Sequence, residues 1–71
     1  MSKQKFIQFH PFVNNILDNL GTEFVTQDGR TVTVTQPHMN FVVTVDGHVR
    51  LQSSYNFDVS AYMSNLDLQR K

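Results

Sequence analysis

The fold is decided by T-E-F-V-T-Q-D-G-R-T-V-T-V-T, residues 22–35, and by N-F-V-V-T-V-D-G-H-V-R-L-Q-S, residues 40–53. In the first segment Asp28-Gly29 separates two runs rich in β-branched residues, and the second segment repeats this plan around Asp46-Gly47. Such pairs tolerate the positive φ angles of tight turns, and β-branched residues favour strands, so the sequence predicts two consecutive β-hairpins. Pro37 lies between them and cannot donate a hydrogen bond to a sheet, which makes residues 36–39 a connection.

The register of the second hairpin depends on its turn. A two-residue turn divides the apolar residues of the two strands between both faces of the sheet. A three-residue loop with Gly47 in the left-handed position of a bulge instead gathers four apolar side chains on one face. Its cross-strand pairs are Val43 with Val49 and Phe41 with Leu51. We therefore predict the bulged turn.

The register of the first hairpin stays open. A bulged turn collects Phe24, Val32 and Val34 on one face, whereas a tight turn collects Val25 with the same two valines. Both choices give an apolar face of similar size, so the sequence does not decide between them.

The N-terminal part contains a predicted strand and a predicted helix. Residues 3–9 are rich in Phe and Ile and lie before Pro11, which favours extended backbone in the residue that precedes it. Apolar residues then recur at the spacing of an amphipathic helix, with Pro11 in its first turn and Gly21 beyond its end. These apolar residues are Phe12, Val13, Ile16, Leu17 and Leu20.

The C-terminal part predicts a second helix. Asp58 is a residue type that caps helix starts, and Arg70 and Lys71 would lie near the negative end of the helix dipole. The apolar residues at helical spacing are Val59, Tyr62, Met63 and Leu66. The predicted fold is α+β in the order β-α-β-β-β-β-α: a small antiparallel sheet of two consecutive β-hairpins, with or without the short N-terminal strand, packed with an N-terminal and a C-terminal helix.

Length and composition restrict the class of protein. A chain of 71 residues has room for one hydrophobic core, so we expect a single domain over residues 1–71. The absence of cysteine excludes disulfides and thiolate metal sites. No apolar run approaches the roughly 20 residues of a membrane span, and no signal-peptide pattern is present. We expect no membrane contact and a cytoplasmic location, in the host cell if the protein is viral.

The titratable residues form no catalytic set. Five of the six acidic residues are assigned to turns, a helix cap and polar helix faces, namely Asp28, Asp46, Asp58, Asp18 and Asp67. Glu23 alone does not provide the paired carboxylates of acid-base chemistry. The three histidines, His10, His38 and His48, lack the spacing of a metal site, and the glycines form no phosphate-binding loop. We therefore expect no enzyme activity, no metal and no cofactor.

The Thr/Val strands suggest an interaction edge. They carry almost no charge, so at the edge of a sheet they would invite pairing with a partner or with a second copy. The candidate residues are Thr31, Thr33, Val34, Thr35, Val43 and Val45. The alternative is that both strands are interior and that the threonines line a solvated face.

A nucleic-acid face is the competing interpretation. Aromatic and arginine side chains on a sheet can stack on unpaired bases. The candidate residues are Arg30, Phe41, His48, Arg50 and Tyr55. The formal net charge of zero and the lack of a recognition motif weigh against it.

The sequence thus favours a non-enzymatic protein-binding module. We expect it to form a homodimer or higher oligomer and to occupy the surface of an unidentified partner protein. By analogy of size and composition alone, accessory or inhibitory proteins of phages and mobile elements are of this kind. A small single-stranded nucleic-acid-binding protein is the alternative, and an enzyme with a site between subunits is the third hypothesis.

Overall fold

The computed structural model describes residues 6–71 as a small α+β fold. Its elements are a 3₁₀ helix (Ile16–Asn19), β1 (Glu23–Val25), β2 (Thr31–Thr35), β3 (Phe41–Val45), β4 (His48–Ser53), α1 (Asn56–Asn65) and β5 (Gln69–Arg70). The five strands form one antiparallel sheet in the order β4-β3-β2-β1-β5. The two consecutive hairpins, β1-β2 and β3-β4, are confirmed.

The first hairpin adopts the bulged turn. Phe24 pairs with Val32, and the Thr26 amide donates to the Arg30 carbonyl oxygen over 2.9 Å. Gly29 has a φ of 89°, the left-handed conformation that glycine adopts without strain. This register places Phe24 and Val32 in the core and resolves the choice that the sequence left open.

The second hairpin has a tight two-residue turn, so the bulge predicted at Gly47 is wrong. Asp46 and Gly47 have φ angles of 52° and 83°, and Val45 pairs with His48 directly beyond them. Two successive positive φ angles are typical of a type I′ turn, whose twist matches that of the flanking strands.

The irregularity lies within the strands instead. The register of β3 against β4 shifts between Val43 and Thr44, so that Val43 lies opposite Leu51 and Thr44 opposite Val49. The extra residue on β4 brings Leu51 onto the apolar face, where it packs against the core, while Val49 is 56% exposed. Phe41, Val43 and Leu51 therefore still share the apolar face, through a bulge within the strand, whereas Val49, the fourth residue predicted for it, lies opposite Thr44 on the other face.

The core lies between one face of the sheet, α1 and the N-terminal segment. α1 contributes Val59 and Met63, and the link to β5 contributes Leu68, all fully buried. The remaining buried apolar residues are Phe9, Ile16, Phe24, Val32, Val34, Phe41, Val43 and Val45. The rings of Phe9 and Phe24 meet edge to face with centroids 5.3 Å apart, which ties the N-terminal segment to the sheet.

The predicted N-terminal α-helix is absent, and a 3₁₀ helix of four residues takes its place. Asparagine side chains compete with helical hydrogen bonding in this segment. Asn14 has a φ of 58°, and the side-chain Nδ2 group of Asn15 donates to the Pro11 carbonyl oxygen over 2.8 Å. The Asn15 side-chain oxygen also accepts from the Leu17 amide over 2.9 Å and caps the 3₁₀ helix. Of the predicted apolar stripe, Ile16 alone is buried.

The predicted N-terminal strand over residues 3–9 is also not found in the part of it that the structure describes. Residues 3–5 lie outside the described residues, and residues 6–9 are not in a strand. The Ile7 amide donates to the Leu68 carbonyl oxygen over 2.8 Å, and the Phe9 amide donates to the Ser64 hydroxyl over 2.8 Å. These two bonds attach the segment to the C-terminal part of the chain without forming a ladder.

The C-terminal helix is confirmed, with an earlier start. α1 begins after Tyr55, whose side chain makes no capping bond, and Asp58 lies within the first turn. The Asp58 carboxylate accepts from the Ser53 hydroxyl over 3.2 Å. The sequence therefore predicts the start of the helix too late. Asp58 stabilises the first turn through its negative charge and is not the cap.

The chain does not end in the helix. Asp67 has a φ of 54° and turns the chain, after which β5 pairs with β1. Arg70 consequently lies within the sheet, in β5, and the Lys71 amide donates to the Glu23 carbonyl oxygen of β1, so neither residue is at the helix end that the sequence predicts. The Arg70 guanidinium lies 5.7 Å from the centroid of the Phe24 ring.

Candidate functional site

The predicted interaction edge lies in the sheet interior. β2 pairs with β1 and β3, and β3 pairs with β2 and β4, so the expectation that these strands form an edge is corrected. The valines of the set, Val34, Val43 and Val45, are core residues. Its threonines, Thr31, Thr33 and Thr35, point to the opposite face, as alternation along a strand requires.

The longer free edge is β4. Within residues 6–71 it pairs only with β3, whereas the other edge strand, β5, has two residues. His48, Val49, Arg50 and Gln52 of β4 are exposed. Unpaired main-chain groups along such an edge are available to an added strand.

The predicted nucleic-acid face is not assembled. Phe41 is 4% exposed and belongs to the core, so it cannot stack on a base. Tyr55 follows the end of β4 that is opposite to His48. Two other residues of the set, Arg30 and Arg50, line the same cleft.

This cleft has a volume of about 380 Å³ and lies between the β1-β2 turn, the sheet and the last turns of α1. Val45 and Leu66 supply apolar surface, and Tyr62 and Asn65 supply polar groups. Its full lining is Thr26, Gln27, Asp28, Arg30, Val45, Arg50, Tyr62, Asn65 and Leu66. Most of the lining residues are polar or charged, so the cleft differs from the mostly apolar pockets that are typical of small-molecule sites.

The charges of the cleft are partly paired. The Arg30 Nε atom lies 3.2 Å from a carboxylate oxygen of Asp28. A hydrogen bond from the Thr26 hydroxyl, together with the Arg30 charge, lowers the pKa of Asp28 from its ordinary value. Arg50 makes no ion pair with any of the residues described. Two guanidinium groups and one carboxylate leave the cleft with one net positive charge.

Exposed aromatic side chains form a second candidate surface, which the sequence reasoning missed. The His10 ring lies 5.5 Å from that of Phe12 and 5.9 Å from that of Phe57, measured between centroids. Phe12 is 85% exposed and Phe57 is 62% exposed. We call His10, Phe12 and Phe57 the aromatic patch. The sequence predicts Phe12 on the apolar face of a helix. The one signal against that prediction is Asn14, at which the helix is interrupted and which has a positive φ.

The described residues form no cluster that could hold a metal ion. Among residues 6–71, no group of three or more His, Asp or Glu side chains is placed to hold a metal ion. In the same part of the chain, no helix has the length and apolar character that crossing a bilayer requires. Comparison of the chain with protein-family models, with curated proteins and with solved structures gave no match. The aromatic patch, the cleft and the β4 edge are the candidate functional surfaces of the described residues.

Proposed function

We propose that this protein is a non-enzymatic binding module that self-associates through the aromatic patch and acts by occupying a partner's surface. The observation that carries the proposal is the contact of the His10 ring with two exposed phenylalanine rings, tilted against Phe12 and edge to face with Phe57. Contiguous exposed apolar surface on a small protein commonly marks a protein interface, and aromatic residues are enriched in interface centres.

The occupant that we favour is a second copy of the chain. Its formal net charge is zero, so copies do not repel each other. A phenylalanine side chain buries about 150–250 Å². Phe12 and Phe57 together therefore bury roughly 300 Å² per copy, which fits the centre of an interface of about 800 Å² per partner. Val13, 70% exposed and next to Phe12, extends this apolar surface. We expect a weak dimer, with a Kd in the micromolar range.

Sedimentation equilibrium tests the proposal. The wild type should show a weight-average mass that rises over about 5–500 µM, the range in which a micromolar Kd is visible. Phe12→Ser combined with Phe57→Ser should abolish the rise. Met39→Ser is the matched control, because Met39 is 84% exposed but lies in the β2-β3 connection, outside the patch. A wild type that stays monomeric throughout the range refutes the proposal, as does an equal effect of the control.

A role as an accessory or inhibitory protein in the cytoplasm follows from the same proposal. An interface without catalytic residues acts by covering a surface, and a chain without cysteine suits a reducing compartment. Retention of the same partner by the immobilised wild type and by the Phe12→Ser, Phe57→Ser variant would support this role and place partner binding outside the aromatic patch.

Single-stranded nucleic-acid binding is the second candidate. The convergence of Arg30 and Arg50 on one cleft favours it, whereas Asp28 in the same cleft disfavours a phosphate. A polarisation titration with labelled oligonucleotides should show affinity that falls as salt rises if this candidate is correct. Flat curves at low and moderate salt remove it.

A further inference from the structure

The cleft and the free edge of the sheet share one residue. Arg50 lies on β4, the edge strand whose outer side is unpaired within residues 6–71, and also lines the cleft beside the end of α1. A chain segment that pairs with β4 therefore runs along the strand that carries Arg50. Strand addition of this kind derives affinity from main-chain hydrogen bonds and specificity from pockets for individual side chains.

The polar groups of the cleft are suited to one negative charge. Arg30 is already paired with Asp28, whereas Arg50 has no ion-pair partner in the described chain. A guanidinium group binds a carboxylate through two parallel hydrogen bonds. The Tyr62 hydroxyl and the Asn65 amide line the same cleft and can donate further hydrogen bonds.

The bulge in β4 restricts what the edge can accept. The pairing of β4 with β3 skips one residue between Val49 and Leu51, and that residue is Arg50. The regularly paired part of β4 that follows Arg50 is therefore short. Bulges bend an edge strand and discourage continuous pairing with another sheet. The edge thus suits a short extended segment better than the full strand of a second copy.

We propose that β4 and the cleft bind a short, extended, acidic segment of a partner protein, with β4 pairing to its main chain and Arg50 binding one of its carboxylates. This site is separate from the aromatic patch, so it does not depend on self-association. Nucleic acid is the less suitable occupant, since a phosphate backbone would bring repeated negative charges towards Asp28.

Fluorescence polarisation with designed peptides tests this site. The probe is a rhodamine-labelled, C-terminally amidated peptide, Thr-Val-Thr-Glu-Thr-Val-Thr, with a matched peptide that carries Gln in place of Glu. The Glu peptide should bind at least about tenfold more tightly, the loss expected for one charge-assisted hydrogen-bonded pair. Its affinity should fall when the salt concentration rises from about 50 to 300 mM.

Variants of β4 identify the residue responsible. Arg50→Gln should reduce the affinity for the Glu peptide to that for the Gln peptide. His48→Gln is the matched control, because His48 is exposed on the same strand but does not line the cleft. Two versions of the Glu peptide with N-methyl groups on alternate residues test the pairing. One version should lose binding, since its methyl groups replace the hydrogens that bond to β4.

Several results would overturn the proposal. Equal affinity for the Glu and Gln peptides would show that binding does not depend on the carboxylate. This comparison needs only the wild-type protein. Full binding by both N-methylated peptides would exclude strand pairing. Binding of a short single-stranded oligonucleotide that depends on Arg50, without binding of the Glu peptide, would assign the cleft to nucleic acid. Loss of self-association in the aromatic-patch variant leaves these measurements unaffected, so the two sites are judged separately.

Discussion

Replacing Phe24 with leucine removes contacts that leucine cannot make. The Phe24 ring is fully buried and meets the Phe9 ring edge to face at 5.3 Å. The Arg70 guanidinium lies 5.7 Å from the same ring, which is within the range of a cation–π interaction. Phe24 therefore joins the N-terminal segment and the C-terminal strand β5 to the centre of the sheet.

The size of the loss follows from these contacts. An edge-to-face aromatic pair contributes about 0.5–1.5 kcal/mol beyond its buried area, and a cation–π contact about 0.5–1 kcal/mol. The change in side-chain shape adds about 1 kcal/mol. We expect Phe24→Leu to lower the free energy of unfolding by about 2–3.5 kcal/mol. The matched control is Phe41→Leu, because Phe41 is also buried but makes no aromatic pair among the residues described, so about 1 kcal/mol is expected.

Urea denaturation followed by circular dichroism measures both values. The difference between Phe24→Leu and Phe41→Leu isolates the aromatic and cation–π contacts, provided that the denaturant slope is the same in both variants. Arg70→Gln should account for part of this difference by itself. Equal destabilisation by the two leucine variants would refute the argument that Phe24 links the chain ends to the sheet.

Two further predictions concern the hairpin turns. The pKa of Asp28 is lower in the folded state than in the unfolded chain, where it is about 4. Asp28 therefore stabilises the fold fully above the unfolded-chain pKa, and this contribution is lost as the pH falls through the folded-state pKa. Asp28→Asn should remove this part of the acid sensitivity, and urea midpoints that depend on pH in the same way as the wild type would contradict it. Gly47→Ala should lower the free energy of unfolding by about 1–2 kcal/mol, because Gly47 has a φ of +83°. No atom lies within 4 Å of an added Cβ, so the loss is backbone strain alone. Gly47→Asn should cost less, since asparagine tolerates this conformation, and an equal loss in thermal or urea midpoints for the two variants would contradict this explanation.

Local sequence signals predicted the hairpins, because Asp-Gly pairs fix turns without help from the rest of the chain. The register of the second hairpin was not accessible in this way. Its bulge places Leu51 opposite Val43, and that position is determined by packing against the core. β5 has two residues and therefore carries no periodic pattern from which it could be predicted.

The N-terminal helix shows how a correct apolar spacing can be overruled. The spacing counted Phe12 and Leu17 as one face of a helix, but the side chains of Asn14 and Asn15 bond to the backbone and stop the helix from propagating. The same event exposes Phe12 and creates the aromatic patch. The error in the fold prediction and the missed surface therefore have one physical cause.

The two candidate surfaces lie at opposite ends of α1. Phe57 of the aromatic patch is in the first turn of the helix, whereas Tyr62 and Leu66 of the cleft are at its end. At 1.5 Å per residue, Phe57 and Leu66 are separated by roughly 13 Å along the helix axis. Sites at that distance without shared contacts usually act independently. We therefore expect the two proposed sites to be independent, so that a second copy at the aromatic patch does not alter the affinity of β4 for an acidic segment.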